Sequence, residues 1–153
     1  MSILNKSQIR DAKIGEGTRI TEPVNLYECT IGNNSFVGPF VEIQKDVSIG
    51  SNTKIQSHSF ICEGVNIGDN CFIGHGVMFI NDIFKSGKPA GGDKSKWLKT
   101  NVQNDVYIGS NATILPVDIS SGTVIGAGAV VTKDIKSPGV YAGNPAKLLR
   151  KLK

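Results

Sequence analysis

Residues 31–79 read IGNNSFVGPFVEIQKDVSIGSNTKIQSHSFICEGVNIGDNCFIGHGVMF, with a large apolar residue at every sixth position: Ile31, Val37, Ile43, Ile49, Ile55, Ile61, Ile67, Ile73 and Phe79. Large apolar residues make up about 30% of an average chain, so nine hits in one phase arise by chance on the order of once in ten thousand sequences. Neither the helix period of 3.6 nor the strand period of 2 produces a strict six, so the repeat belongs to a higher-order coil. One residue after the apolar position stand Gly32, Gly38, Gly50, Gly68 and Gly74. Three residues after it stand Asn34, Asp46, Asn52, Gly64, Asn70, Gly76 and Asp82, with Phe40 and His58 as exceptions. Gly, Asn and Asp tolerate the positive φ that a tight corner needs. Four residues after it the side chain is small or β-branched: Ser35, Val41, Val47, Thr53, Ser59, Val65, Cys71, Val77. Each hexad therefore reads as a short strand and a corner. Three such sides close a triangular coil of 18 residues, and coils stack at about 4.8 Å, the spacing of neighbouring strands.

Hexads such as Ile49-Gly50-Ser51-Asn52-Thr53-Lys54 and Ile67-Gly68-Asp69-Asn70-Cys71-Phe72 resemble those of the hexapeptide-repeat acyltransferases. The resemblance implies an all-β fold, a left-handed parallel β-helix, although parallel crossovers in general favour the right hand. It also implies a homotrimer with its sites between subunits. The repeat returns at Val102, Ile108 and Ile114, slips by one residue, and continues at Ile119, Ile125 and Val131. Family members carry glycine after the Leu-Pro of this segment, whereas Leu115-Pro116 here runs into Val117; a local adjustment of one turn is expected. Residues 1–153 are read as a single acyltransferase domain with an inserted loop at 81–101 and a short C-terminal helix at about 145–152.

Composition narrows the classes. A chain of 153 residues has room for one slender domain, and each buried apolar side chain of the column contributes roughly 1.5 to 3 kcal/mol. No apolar run reaches the roughly 20 residues of a membrane span, and no leader opens the sequence, so a cytoplasmic protein without membrane partners is expected. The net charge of +4 comes from lysines clustered in the loop and the last turn with few aromatics between them. That pattern fits a phosphate-bearing small molecule better than nucleic acid. Cys29, Cys62 and Cys71 suit neither a disulfide framework nor a metal motif; Cys71 falls in the small inward column.

Between Phe79 and Val102 the period fails in a Gly- and Lys-rich stretch holding Trp97. Loops longer than about 15 residues in compact domains are usually functional or disordered, and a functional loop is expected here, with Trp97 as a substrate contact or an anchor. The 18-residue coil turns sequence separation into geometry, so Lys45, Glu63 and Asn81 form one vertical column at the loop root, with Asn81 above the Glu63 carboxylate. Asp46, Gly64 and Asp82 form a second column. This polar corner is a candidate amine site, although Glu63 could instead pair with Lys45 and Asp82 could serve its turn alone. His58 in the turn column and His75 after Ile73 are further candidates, the latter equally explicable as a polar aromatic at a trimer face.

The runs Gln56-Ser57-His58-Ser59-Phe60-Ile61-Cys62-Glu63-Gly64 and His75-Gly76-Val77-Met78-Phe79-Ile80-Asn81-Asp82 resemble the family branch that N-acetylates nucleotide-linked 3-amino sugars. The function this implies is acetyl-CoA-dependent transfer to a dTDP-3-amino-3,6-dideoxyhexose for surface polysaccharide; a UDP-linked 3-amino uronate is an alternative acceptor. Catalytic candidates are Asn81, Asp82, Glu63 and His75, and substrate contacts are His58, Lys45 and Trp97. Many O-acetyltransferases of the superfamily carry a catalytic His in the loop, and this loop has none. An alcohol needs a general base to attack a thioester, whereas an amine needs only to arrive neutral and be aimed. Three other readings are weaker. An O-acetyltransferase would use His75 as base; a β-helical carbonic anhydrase would need three His ligands, and the chain has His58 and His75 alone. A structural β-helix would show a regular Thr face and no long loop. No metal is expected.

Ile125-Gly126-Ala127-Gly128-Ala129-Val130-Val131-Thr132-Lys133-Asp134-Ile135 and Tyr141-Ala142-Gly143-Asn144-Pro145-Ala146-Lys147 resemble the family's acetyl-CoA segments. The resemblance implies that small Ser110, Ala127 and Ala129 admit a pantetheine arm, and that Lys133, Lys136, Lys147 and Arg150 meet phosphates. Asn144-Pro145 also reads as a helix N-cap and first helical residue, placing Leu148, Leu149 and Leu152 on one side.

Overall fold

In the computed structural model, which describes residues 8–152, the chain winds as a parallel β-helix with three faces. The first face stacks Ile9–Arg10, Asn25–Tyr27, Glu42–Ile43, Phe60–Ile61, Met78–Phe79, Thr113–Ile114 and Val130–Val131. The second stacks Lys13–Ile14, Thr30–Ile31, Ser48–Ile49, Val65–Ile67, Thr100–Val102 and Asp118–Ile119. The third stacks Arg19–Ile20, Phe36–Val37, Lys54–Ile55, Phe72–Ile73, Tyr107–Ile108, Val124–Ile125 and Val140–Ala142, then ends on Lys147–Arg150. Through the repeat each residue pairs with the one 18 positions on, as Phe60 does with Met78 and Ile49 with Ile67.

All nine residues of the six-beat column point inward and are at most 3% exposed. The small column is buried beside it, from Ser35 to Val77. Corners are turned as expected: Asn34, Asp46, Asn52 and Asn70 have φ between 54° and 58°. Phe40 and His58, the residues that break the column's chemistry, adopt the same conformation (φ 61° and 64°), and their rings stack with centroids 4.8 Å apart. The coil geometry therefore overrides residue preference there. Asp82 has no positive φ; the coil has given way to the loop before the corner is completed.

Hydroxyls inside the corner between the second and third faces satisfy backbone that the strands leave unpaired. Ser35 Oγ donates to Gly50 O (2.9 Å) and accepts from Thr53 N–H (3.1 Å). One coil on, Thr53 Oγ1 donates to Gly68 O (2.9 Å) and accepts from Cys71 N–H (3.0 Å). These polar side chains are buried because each has both partners.

The one-residue slip falls between Ile114 and Ile119, where the corner is shortened and Val117 is buried at 4% exposure. The fold is otherwise unchanged, as expected. The C-terminal helix expected at 145–152 is not formed. Lys147–Arg150 is instead a strand, antiparallel to Val140–Ala142, with Tyr141 opposite Leu148 and Ala142 opposite Lys147. The last strand of the third face would otherwise present unpaired N–H and C=O groups, and an isolated helix of eight residues is not stable enough to compete. Leu148 and Leu149 consequently remain 47% and 70% exposed, and Asn144 and Pro145 sit in the turn between the strands.

Replacing Thr53 with Val strands Cys71 N–H and Gly68 C=O in the core. The expected loss is about 2 kcal/mol in urea unfolding, and a loss below about 0.5 kcal/mol would overturn the role given to this hydroxyl.

Candidate active site

The first corner, between the first and second faces, carries the column anticipated from the 18-residue spacing. Asn81 Nδ2 donates to Glu63 O at 3.1 Å, so the two residues stack, though through the Glu63 backbone and not its carboxylate. That carboxylate is held by the loop: Lys94 Nζ lies 2.8 Å from Oε1 and 2.7 Å from Oε2, with the Glu63 side chain only 19% exposed. Lys45 does not pair with Glu63. It meets Glu28 Oε2 at 2.9 Å, because Glu28 on the preceding coil is closer to its stem.

Residues 80–99 leave the coil and return in register, Val65 pairing with Thr100. Leu98 N–H closes the root onto Asn81 O at 2.9 Å. Asp82 organises the span between: Oδ1 accepts from Phe84 N–H (2.9 Å) and Oδ2 from Ala90 N–H (2.7 Å). Both oxygens thus serve the loop. A short 3-10 turn, Lys94–Lys96, is capped by Asp93, whose carboxylate takes the Ser95 backbone N–H and hydroxyl; those hydrogen bonds hold its pKa below the ordinary carboxyl range. Lys94 Nζ also lies 5.6 Å from the centre of the Trp97 ring, so Trp97 is tied to the same clamp. Lys94 was not among the sequence candidates, and no period could have matched it to Glu63 across 31 positions.

His58 and His75 lie at another corner, between the third and first faces. The His75 ring is exposed, with Nδ1 3.4 Å from Ser110 Oγ, and its backbone N–H is bonded to the same hydroxyl at 3.2 Å. A strand of the first face, Met78–Phe79, separates His75 from Asn81 within one chain. At about 3.3 Å per residue that is a separation of roughly 20 Å. One chain therefore brings Asn81, Glu63 and Asp82 together and leaves His75 and His58 elsewhere.

The residues read as a coenzyme channel also divide. Ala127 is exposed and Ser110 half-buried on the corner of His75, but Ala129 is fully buried in the core. Its side chain points into the coil, so only its backbone could border a channel. Lys147 and Arg150 lie on the terminal strand of the third face. Lys133 follows the first face, and Lys136 borders a groove of about 610 Å³ over the second face. The outer wall of that groove is a polar ladder in which Asn66 Nδ2 donates to Asn101 Oδ1 (3.1 Å) and Asn101 Nδ2 to Asp118 Oδ1 (2.8 Å). Hence the four cations do not gather around one spot on a single chain.

All three cysteines are buried, and burial raises each thiol pKa, that of Cys62 from 9.0 to about 12. None is poised as a nucleophile at neutral pH. A pKa raised by folding leaves stability constant while both states are protonated and erodes it once only the unfolded state ionises. The contribution of Cys62 is accordingly present below pH 9.0 and lost between 9.0 and about 12. Replacing Cys62 with Ala should flatten the alkaline arm of a stability-against-pH curve, and a disulfide-exchange reagent at pH 8 should label the native thiols only on unfolding.

The family description "Bacterial transferase hexapeptide (six repeats)" matches residues 28–63 and 46–81, and "Hexapeptide repeat of succinyl-transferase" matches 102–133. The bifunctional protein GlmU of Clostridium botulinum is 32% identical over 135 residues, which are 87% of this chain and 27% of that protein. The chain thus spans about a quarter of the length of this curated relative. An N-acyltransferase, AntD of Bacillus cereus, solved as a variant with dTDP and coenzyme A, superposes with a TM-score of 0.80 at 22% identity, over 95% of this chain and 86% of that one. A variant of perosamine N-acetyltransferase from Caulobacter crescentus, solved with CoA and GDP-perosamine, superposes with a TM-score of 0.53 at 15% identity, over 93% and 57%. The repeat, the coils it builds and the matches along them make this chain a member of the hexapeptide-repeat transferases.

Proposed function

We propose that the protein transfers an acetyl group from acetyl-CoA to the amine of a nucleotide-linked amino-deoxy sugar, with a 3-amino-3,6-dideoxyhexose on dTDP as the leading acceptor. The observation that carries this reading is the Glu63 carboxylate at the root of the loop, two oxygens on a primary ammonium at 2.7 and 2.8 Å. Lys94 shows there what a sugar ammonium would find: a half-buried acceptor with the Asn81 amide stacked above it. Solved N-acyltransferases of the same fold hold dTDP with coenzyme A, or GDP-perosamine with CoA, which supports an amino-sugar acceptor and a thioester donor.

In this reading Glu63 draws the amine in and Asn81 aims it, supplying orientation. The amine nitrogen attacks the thioester carbonyl, its proton is shed, and the coenzyme thiolate leaves and is protonated. Asp82 acts by holding the loop. A homotrimer places the corner of one chain that carries His75, Ser110 and Ala127 beside the loop of its neighbour. The outward aromatics Phe36, Phe72 and Tyr107 on the third face, with Phe60 and Met78 on the first, supply apolar surface for such packing. Trp97, His58 and Lys45 then contact the nucleotide-linked sugar, while Lys133, Lys136, Lys147 and Arg150 are the cations available to the coenzyme phosphates.

Thiol release from acetyl-CoA, followed against a panel of dTDP- and UDP-linked amino sugars, tests the proposal; no release with any acceptor would sink it. Glu63→Gln removes a charge-assisted contact and should raise the KM for the amino sugar at least tenfold. A second reading, O-acetylation with His75 as base, draws on the exposed ring, whose Nε2 has no partner among the described residues. Replacing His75 with Ala separates the two: N-transfer predicts a mild loss, whereas O-transfer predicts loss of about two orders of magnitude or more.

A further inference from the structure

We propose that the inserted loop itself carries a diphosphate site, formed by Lys85, Lys88 and Lys96 with the hydroxyl-bearing Ser86. These residues, all exposed, line a concavity of about 280 Å³ that opens to solvent on the outside of the loop, with Ser95 beside them. Asp82 also borders it, but both its oxygens accept backbone N–H groups of the loop, so its charge is engaged in holding the wall. The lining residues include three lysines and one carboxylate, a formal charge of +2, which Asp93 beside Lys96 lowers to +1. Lys85 and Lys88 have no counter-ion among the described residues, and Lys96 has only the exposed Asp93 at 3.4 Å. Like charges lining one concavity repel one another, and a bound dianion removes that repulsion. Lysine is suited to this role as a mobile point charge on phosphate, with the Ser86 hydroxyl donating to a remaining oxygen.

The size selects the ligand class. The volume, just below the range of small-molecule pockets, has room for a diphosphate, with nucleoside and sugar extending through its open side. The 3-10 turn links this site to the amine site. Lys94 reaches Glu63, while Ser95 and Lys96, the next two residues, face the cavity. The Lys94–Lys96 turn therefore adjoins both the Glu63 carboxylate and the concavity.

Coenzyme A also contains a diphosphate, so assigning the site to the nucleotide-linked sugar rests on the function proposed above. Trp97 is the only tryptophan of the chain and adjoins Lys96 and Leu98 of the cavity, which makes its fluorescence the readout. Inorganic pyrophosphate, dTDP and CoA are titrated separately into the full chain, into Lys85→Ala/Lys88→Ala, and into Lys13→Ala/Lys151→Ala, which removes equal charge elsewhere. The expected result is at least tenfold weaker pyrophosphate and dTDP binding in the loop variant only, with CoA unchanged. Weakened pyrophosphate and CoA with dTDP unchanged keeps the diphosphate site and moves it to the acyl donor. Equal affinities in the wild type and the loop variant, or an equal loss in the control, overturn it. Absence of thiol release with every amino sugar, alongside lost pyrophosphate binding in the loop variant, would remove the proposed function and leave the site standing.

Discussion

Vertical registry between coils is the constraint on which the molecule depends. Each short strand can satisfy its N–H and C=O groups only on the coil above and the coil below, so the chain must return in register after each turn, 18 residues on in the central repeat and 17 on either side of it. The corners obey it too: Ser35 and Thr53 hydroxyls bridge backbone that turns away from the sheets. A segment with no period can be inserted only at a corner, and only if the chain re-enters in register. Residues 80–99 meet both conditions, for Asn66 pairs with Ser48 below and with Asn101 above, 35 positions on.

Because the loop is anchored at both ends by that registry, its interior is organised by a few polar contacts. Asp82 gathers two backbone N–H groups, Asp93 caps the 3-10 turn, and Glu63 receives Lys94 from across the root. The rigid coil thus supplies a half-buried carboxylate and an amide at a fixed height, and the loop supplies cations. A half-buried carboxylate and three loop lysines stand within one structural unit.

Much of the architecture was legible from the chain. A buried side every sixth residue is a local property, and the columns at one, three and four residues after it state where the strand ends and which corner residue takes positive φ. Stacking of Glu63 and Asn81 followed from arithmetic on 18. Contacts of side chains belonging to no column were not legible. Asp82 looked like a catalytic candidate that could instead serve its turn alone, and its carboxylate accepts two backbone N–H groups of the loop, since the coil ends before its corner is made. Ala129 looked like a small channel residue and belongs to the core, because its corner points inward. Asn144-Pro145 looked like the start of a helix, a reading made from local preference alone; the open edge of Val140–Ala142 demanded a strand.

The sequence alone determined the coil, its register, its buried columns and the place of its interruption, because each depends on neighbours within a few residues or on a multiple of a constant step. Only the tertiary structure decided which charges meet: Lys45 with Glu28, Lys94 with Glu63, and three loop lysines around one cavity. Those pairings depend on the path of an aperiodic segment in space, where distance along the chain no longer measures distance between charges.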